Sequence, residues 1–265
     1  MSCHGGFIWY ELMTDDADKA RAFYKDVIGW DIGAGSDMPG DMDYRMIHRS
    51  DGGMAGGMLV MDEGMKANGP PPCWVGYVDH PDVDAAVKAI EEAGGTCHMG
   101  PQTMEGVGRM AMVADPQGAM IYVMSPTPPA DNPDAESDVF SVDKPQHCRW
   151  NQLQTSDPDA ALELYQRLFG WKQEGSMPMG ELGDYRFIQH GDTGIGAVMP
   201  LMDDVDRPVW SYFFGVDDID RAAKAVVAGG GRLDHPIQQI PGGEYSTHCF
   251  DPQGAGFGIV GPRKE

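Results

Sequence analysis

Positive charge is scarce in this chain. Only 19 Lys and Arg stand against 41 Asp and Glu, a formal charge of −22 over 265 residues. Nucleic acid is bound by cations that displace the counterions of its phosphates. Anionic lipid surfaces likewise recruit Lys and Arg. The charge balance therefore argues against both partners. Long apolar runs are also lacking, and none approaches the ~20 residues of a membrane-spanning helix. The segment Met1 to Thr14 has no basic stretch leading into an apolar one, so no leader and a cytoplasmic location are expected. Five cysteines are present (Cys3, Cys73, Cys97, Cys148 and Cys249), with no Cys-x-x-Cys. An odd count without that spacing speaks against a disulfide framework or a zinc ribbon. Four of the five adjoin histidine, as Cys3-His4, Cys97-His98, His147-Cys148 and His248-Cys249. Neighbours on a strand point to opposite faces, so such pairs do not readily share an ion. The run Gly52 to Gly57 lacks the Lys and helix of a phosphate loop. No Gly-x-Ser-x-Gly elbow occurs.

What is present is a composition able to fold and a clear duplication. Hydrophobic residues make up 42% and aromatics 9%, enough for a packed core. Acid gathers in expected loops, at Asp37, Asp41 and Asp43 and at Asp203, Asp204 and Asp206. It serves solubility, or steers a cationic ligand. The run Phe23-Tyr24-Lys25-Asp26-Val27-Ile28-Gly29-Trp30 returns 141 residues later as Leu164-Tyr165-Gln166-Arg167-Leu168-Phe169-Gly170-Trp171. Asp43-Tyr44-Arg45 returns at the same offset as Asp184-Tyr185-Arg186. Asp115-Pro116-Gln117-Gly118 returns as Asp251-Pro252-Gln253-Gly254, and Trp74 as Trp210, both 136 apart. Ordered matches of this kind mark a tandem repeat. The change of offset falls in the loop expected over 62–72.

Each copy repeats one inner order. An apolar strand at Phe7–Leu12 leads to Thr14-Asp15-Asp16, a helix N-cap. The helix turns Ala20, Phe23, Tyr24, Val27 and Ile28 inward and stops at Gly29. Strands follow at Tyr44–Arg49 and Met54–Met61, then Trp74–Val78 feeds a second helix from Asp82 to Gly94-Gly95. Strands at Thr96–Met99, Arg109–Val113 and Met120–Met124 complete the copy. The expected class is α+β: four βαβββ modules forming two cupped-sheet, barrel-like units. The boundaries read 1–126 for the first unit, 127–146 for a Pro- and Asp-rich linker acting as a tether, and 147–265 for the second.

This order resembles the vicinal oxygen chelate superfamily of glyoxalases, bleomycin-resistance proteins and dioxygenases. Three patterns carry the resemblance, each present twice. They are the run from Thr14-Asp15-Asp16 through Gly29-Trp30, the helix ending at Gly94-Gly95, and the Asp115-Pro116-Gln117-Gly118 turn before a last strand. The resemblance implies a cupped sheet whose concave face takes the ligand. In metal-using members, His, Gln or Glu from the first strand of each half and Glu from the last strand hold a divalent ion.

Carried onto this chain, those positions hold other chemistry. The first-strand position, about seven residues before the helix-opening Asp, is Trp9 and Trp150. The second-half position falls near Val75 and Ser211, and the last-strand position at Tyr122 and Gly258. The remaining acidic position falls within 53–61 and 194–202, which contain no Asp, Glu or His. Tryptophan offers an N–H donor and no lone pair to a cation. The resemblance therefore leads to the expectation of no metal and no other cofactor, with a displaced site at Glu11 as the exception.

Trp9 and Trp150 suit stacking on a flat, apolar or cationic ligand, or plugging of the cup. Glu11, its mate Gln152, Tyr122 and Ser211 complete the candidate ligand-binding set. Glu11 and His248 are the candidate acid–base residues. His248 has Met112 as its mate, so the two copies differ there. His48 and the mates Tyr44 and Tyr185 are similar cases. The nineteen methionines fill core or form an adaptable wall. Three readings remain open. One is metal-independent small-molecule binding. Another is a glyoxalase-type lyase or isomerase, or a dioxygenase, with a displaced metal or acid–base site. The third is a structural or protein-interaction module. Duplication also lets one chain make a pairing that homodimeric relatives make between subunits, so a monomer or weak homodimer is expected.

Overall fold

The computed structural model describes residues 4–38, 40–133, 135–203 and 205–264. Cys3 and Asp204, considered above, lie outside the described residues. The first copy runs β1 (Phe7–Thr14), α1 (Ala17–Val27), β2 (Asp31–Ile32), β3 (Tyr44–His48), β4 (Met54–Val60), α2 (Glu63–Asn68), β5 (Cys73–Asp79), α3 (Val83–Glu92), β6 (Thr96–Met104), β7 (Gly108–Ala114) and β8 (Met120–Pro126). The second runs β9 (Cys148–Thr155), α4 (Pro158–Phe169), β10 (Lys172–Pro178), β11 (Asp184–His190), β12 (Thr193–Pro200), β13 (Val209–Gly215), α5 (Ile219–Ala228), β14 (Arg232–Leu233), β15 (Gln238–Gln239), β16 (Tyr245–Phe250) and β17 (Gly256–Gly261). The strand–helix–three-strand module occurs four times, with the first strand after α5 broken into the short β14 and β15, and the fold is α+β. Two differences from expectation are local. The segment 62–72 holds the short helix α2, which Asp62 caps by accepting from the Met65 N–H. The strand expected at Thr96–Met99 continues to Met104.

Local rules account for the main helices. α1, α3, α4 and α5 each open on an Asp whose carboxylate accepts a first-turn N–H: Asp16, Asp82, Asp157 and Asp218. Such a cap is worth ~1 kcal/mol. Each helix buries one stripe, such as Ala20, Phe23, Tyr24 and Val27 on α1. Gly170 closes α4 in the left-handed conformation that residues with a Cβ avoid.

The strands form two mixed sheets with matching order. One runs β2-β3-β4-β1-β5-β8-β7-β6, the other β10-β11-β12-β9-β13-β17-β16-β14, with β15 paired to β16. Parallel pairs occur where a module closes on itself: β1 with β4, β5 with β8, β9 with β12 and β13 with β17. Among the described residues no helix is long and apolar enough to cross a membrane.

The compact units cut across the repeats. One comprises the chain up to Ile8, Gly76–Ser137 and Trp150–Trp210. The other comprises Trp9–Val75, Asp138–Arg149 and Ser211 onward. Each thus joins a half-copy from both repeats within one chain. In the first unit, Phe7, Tyr165, Phe169, Trp171 and Trp210 pack ring against ring at 5.1–5.9 Å. The Trp171 indole donates to the Gly5 carbonyl at 2.6 Å. In the second, Tyr24, Trp30, Trp74, Phe214 and Phe257 form the equivalent cluster. Aromatic pairs of this kind contribute ~0.5–1.5 kcal/mol beyond the area they bury.

The linker does more than tether. Val139 is buried. The Gln146 carbonyl accepts from the Trp30 indole at 2.9 Å, and its amide donates to the Gly29 carbonyl at 2.9 Å. Buried Arg49 donates to the Asp138 carboxylate.

Candidate functional site

In β1, Tyr10 and Leu12 turn into the aromatic core and are fully buried. Strand alternation places Trp9 and Glu11 on the opposite face. The half-buried Trp9 donates its indole N–H to the Tyr44 hydroxyl at 2.8 Å. Glu11 is buried, with 3% of its surface exposed, and its Cα partner across the ladder is Gly57. A Cβ at Gly57 would lie 2.1 Å from the Tyr44 hydroxyl. The glycine-rich stretch that matched no phosphate loop thus leaves space for the tyrosine that holds Trp9.

The mirrored set lies in the first unit. Trp150 donates to the Tyr185 hydroxyl at 2.6 Å, and Tyr185 donates to the Gln152 side-chain carbonyl at 3.0 Å. Phe187 packs near both rings, at 6.2 Å from Trp150 and 5.9 Å from Tyr185. Burial pushes the Tyr185 hydroxyl well above the usual tyrosine range, so it stays protonated and donates. Sequence had singled out Trp150 and Gln152, and the structure joins them through Tyr185. In the same unit Tyr122 stacks on Tyr77 at 4.1 Å with an interplanar angle of 9°.

The second halves of the repeats differ in chemistry. Adding 136 converts Val75, Tyr77, His98, Met112 and Tyr122 into Ser211, Phe213, Asp234, His248 and Gly258. Where the first repeat has the tyrosine stack, the second has glycine, and the Phe213 ring fills the space a Cβ at Gly258 would need. Ser211 and His248 come together: Oγ lies 3.3 Å from Nε2. The other ring nitrogen, Nδ1, lies 3.6 Å from the Asp234 carboxylate. His235 stacks on His248 at 6.4 Å and also approaches Asp234 at 3.6 Å. Arg232 donates to Asp234 at 3.2 Å and lies over the Phe250 ring at 3.8 Å. Burial outweighs Asp234 and lowers the His248 imidazole to about 4, so it is neutral at neutral pH. Its sequence neighbour Cys249 turns into the core, where burial pushes the thiol up to about 12. The two do not share a face or an ion. Sequence reasoning missed Asp234 and His235: their first-repeat mates are His98 and Met99, so the comparison of the repeats singled out no shared pair there.

The donor set does not fit a family-type divalent ion. Trp9, Trp150, Val75, Ser211, Tyr122 and Gly258 supply neither carboxylate nor imidazole, which such a centre requires. Among the described residues, no group of three or more His, Cys, Asp or Glu side chains is placed to hold a metal, around Glu11 or elsewhere.

Comparison with known proteins agrees with the repeat and the fold. The family model for the Glyoxalase/Bleomycin resistance protein/Dioxygenase superfamily matches residues 6–123 and again 144–259. The protein named "Putative glyoxylase CFP32" from Mycobacterium tuberculosis (strain CDC 1551 / Oshkosh) is 30% identical over 96% of this chain and 94% of its own length. The anthracycline biosynthesis protein DnrV of Streptomyces peucetius is 29% identical over 97% of this chain and 93% of its own. Among solved structures, a Mn(II)-bound glyoxalase from Novosphingobium aromaticivorans superposes with a TM-score of 0.65 at 17% identity, covering 100% of this chain and 84% of that one. Homoprotocatechuate 2,3-dioxygenase from Brevibacterium fuscum gives 0.66 at 15% identity, covering 100% of this chain and 83% of the other. The two matched repeats, covering most of the chain, establish that this protein belongs to the glyoxalase/bleomycin resistance/dioxygenase superfamily.

Proposed function

We propose that this chain binds a small, flat organic molecule without a family-type metal. The carrying observation is the mirrored tryptophan at the first-strand position, Trp9 held by Tyr44 and Trp150 held by Tyr185. Each indole N–H is already satisfied, so the ring is oriented and its face, rather than its edge, is the natural binding surface. Glu11 and Gln152 add one polar group beside each ring. Anthracyclines, for whose biosynthesis the Streptomyces relatives are named, have fused planar rings of the kind an indole face stacks on. A ligand carrying an amine gains further from the −22 charge.

Tryptophan fluorescence of the full chain in EDTA, titrated with fused-ring quinones and planar amines, tests this. Saturable quenching that EDTA does not alter is the expected result. Trp9→Ala and Trp150→Ala should weaken it unequally, because Phe187 stands near Trp150 and the polar neighbours differ. Absence of saturable binding across the panel, or binding that appears only with added Mn(II), overturns the reading. An enzymatic reading has its own support in the second repeat.

A further inference from the structure

The polar cluster formed by β13, β16 and the segment that follows β14 is not needed for stacking on the tryptophans, and the first repeat lacks it. We propose that Ser211, His248 and Asp234 form a nucleophile–base–carboxylate relay, giving the second repeat an esterase site for small esters with an apolar or aromatic group.

The geometry follows the order such chemistry needs. The Ser211 hydroxyl lies 3.3 Å from His248 Nε2, within reach for proton transfer. His248 Nδ1 is buried without a hydrogen-bond partner, and the Asp234 carboxylate stands 3.6 Å from it. A small rotation of either side chain closes that gap, and such bonds tighten when substrate binds. Asp234 then fixes the tautomer with the proton on Nδ1, leaving Nε2 free to accept. The groups facing the imidazole are Asp234, His235 and Arg232. Phe250 stands edge-on to the imidazole at 5.2 Å, and Phe213 is 6.4 Å away. These rings make the surroundings of the imidazole apolar, which favours an uncharged ester over a charged one. The duplicate serves as an internal control. Its Val75, Met112 and His98 cannot make the same relay, so all three partners differ together between copies of one ancestor.

The step balances with water alone. Ser211 Oγ attacks the ester carbonyl carbon while Nε2 takes the hydroxyl proton. The ester C–O bond breaks, and the alcohol leaves with that proton. Water, deprotonated by Nε2, then cleaves the acyl-serine to release the acid and restore Ser211. Asp234 is a positioning residue here.

The full chain is treated with a fluorophosphonate, and the adduct is located by intact mass and peptide mapping. Turnover of p-nitrophenyl butyrate is followed in parallel. One phosphonyl group on Ser211 is expected. Labelling should disappear in Ser211→Ala and slow at least ~100-fold in His248→Gln. Asp234→Asn should lower kcat with KM unchanged, which a purely structural loss would not do. A folded wild-type chain that carries no adduct on Ser211 overturns the proposal, as does an unchanged labelling rate in folded His248→Gln. Mapping on the wild type decides the matter even if a variant fails to fold. The labelling does not depend on the tryptophan faces, so it succeeds or fails independently of ligand stacking.

Discussion

The hydroxyl of Tyr24 donates to the carboxylate of Asp251 at 3.1 Å across 227 residues of chain. Tyr165 does the same to Asp115 at 2.9 Å. Each Asp uses its other oxygen to accept N–H groups of its own turn, from Gln253 and Ala255 or from Gln117, Gly118 and Ala119. The Asp-Pro-Gln-Gly turn of one repeat is thus locked by a tyrosine on the first helix of the other. Burial raises both carboxyls, with the backbone N–H bonds pulling the other way.

Tyr24→Phe leaves Asp251 one donor short and takes from the Trp74 indole the hydroxyl it donates to at 2.9 Å, both in buried places, and should cost about 2 kcal/mol in urea unfolding. Asp251→Ala orphans the turn N–H groups and the tyrosine hydroxyl together, and should cost about 3 kcal/mol or more. Equal, near-zero effects would show that the contact adds nothing.

Gly57→Ala puts a methyl where the Tyr44 hydroxyl sits. The tyrosine must move, and the Trp9 indole loses its acceptor. The expected result is a loss of about 1–3 kcal/mol and a red shift of tryptophan emission. Gly57→Ala combined with Tyr44→Phe should recover little of the loss, because the ring carbons Cζ and Cε1 also stand in the way of the added methyl.

His248 gives a pH dependence with a definite sign. Its folded pKa, about 4, lies below the ordinary 6.5, so the unfolded chain takes up the proton first. The stability linked to this group is complete above pH 6.5 and is lost as the pH falls toward 4. The size is ~3 kcal/mol if the whole difference is expressed. Urea midpoints at pH 7, 5.5 and 4.5 should fall in the wild type and flatten in His248→Gln.

Arg49 is buried and carries a charge-assisted bond to the linker carboxylate of Asp138. Arg49→Met should release the segment around Asp138 to limited proteolysis and cost about 2 kcal/mol. Unchanged cleavage at the linker would mean that the buried Val139 and the Gln146 bonds suffice.

The intrachain combination of half-copies predicts that sedimentation will show a single chain, or a weak dimer that dissociates on dilution. An obligate dimer would mean that each chain still needs a second copy.

The four modules, the duplication and most strand and helix bounds were legible from periodicity, capping Asp residues and repeated turns. These are local signals, and the chain states them four times. The helix within 62–72 was missed because six residues with no buried stripe leave little periodic trace. Trp9 and Trp150 were singled out by the family resemblance, and Glu11 and Gln152 because strand alternation puts them on the same faces as the tryptophans. The positions that the family resemblance assigns to metal ligands hold no carboxylate or imidazole in this sequence. Tertiary structure decided what these residues touch: that Tyr44 and Tyr185 hold the indoles, that Asp234 stands beside His248, and that compact units mix the two repeats. Ser211 and His248 lie 37 residues apart and meet through β17, which pairs with both of their strands. Contacts of that kind depend on register between strands distant in sequence, and no local pattern of residues records that register.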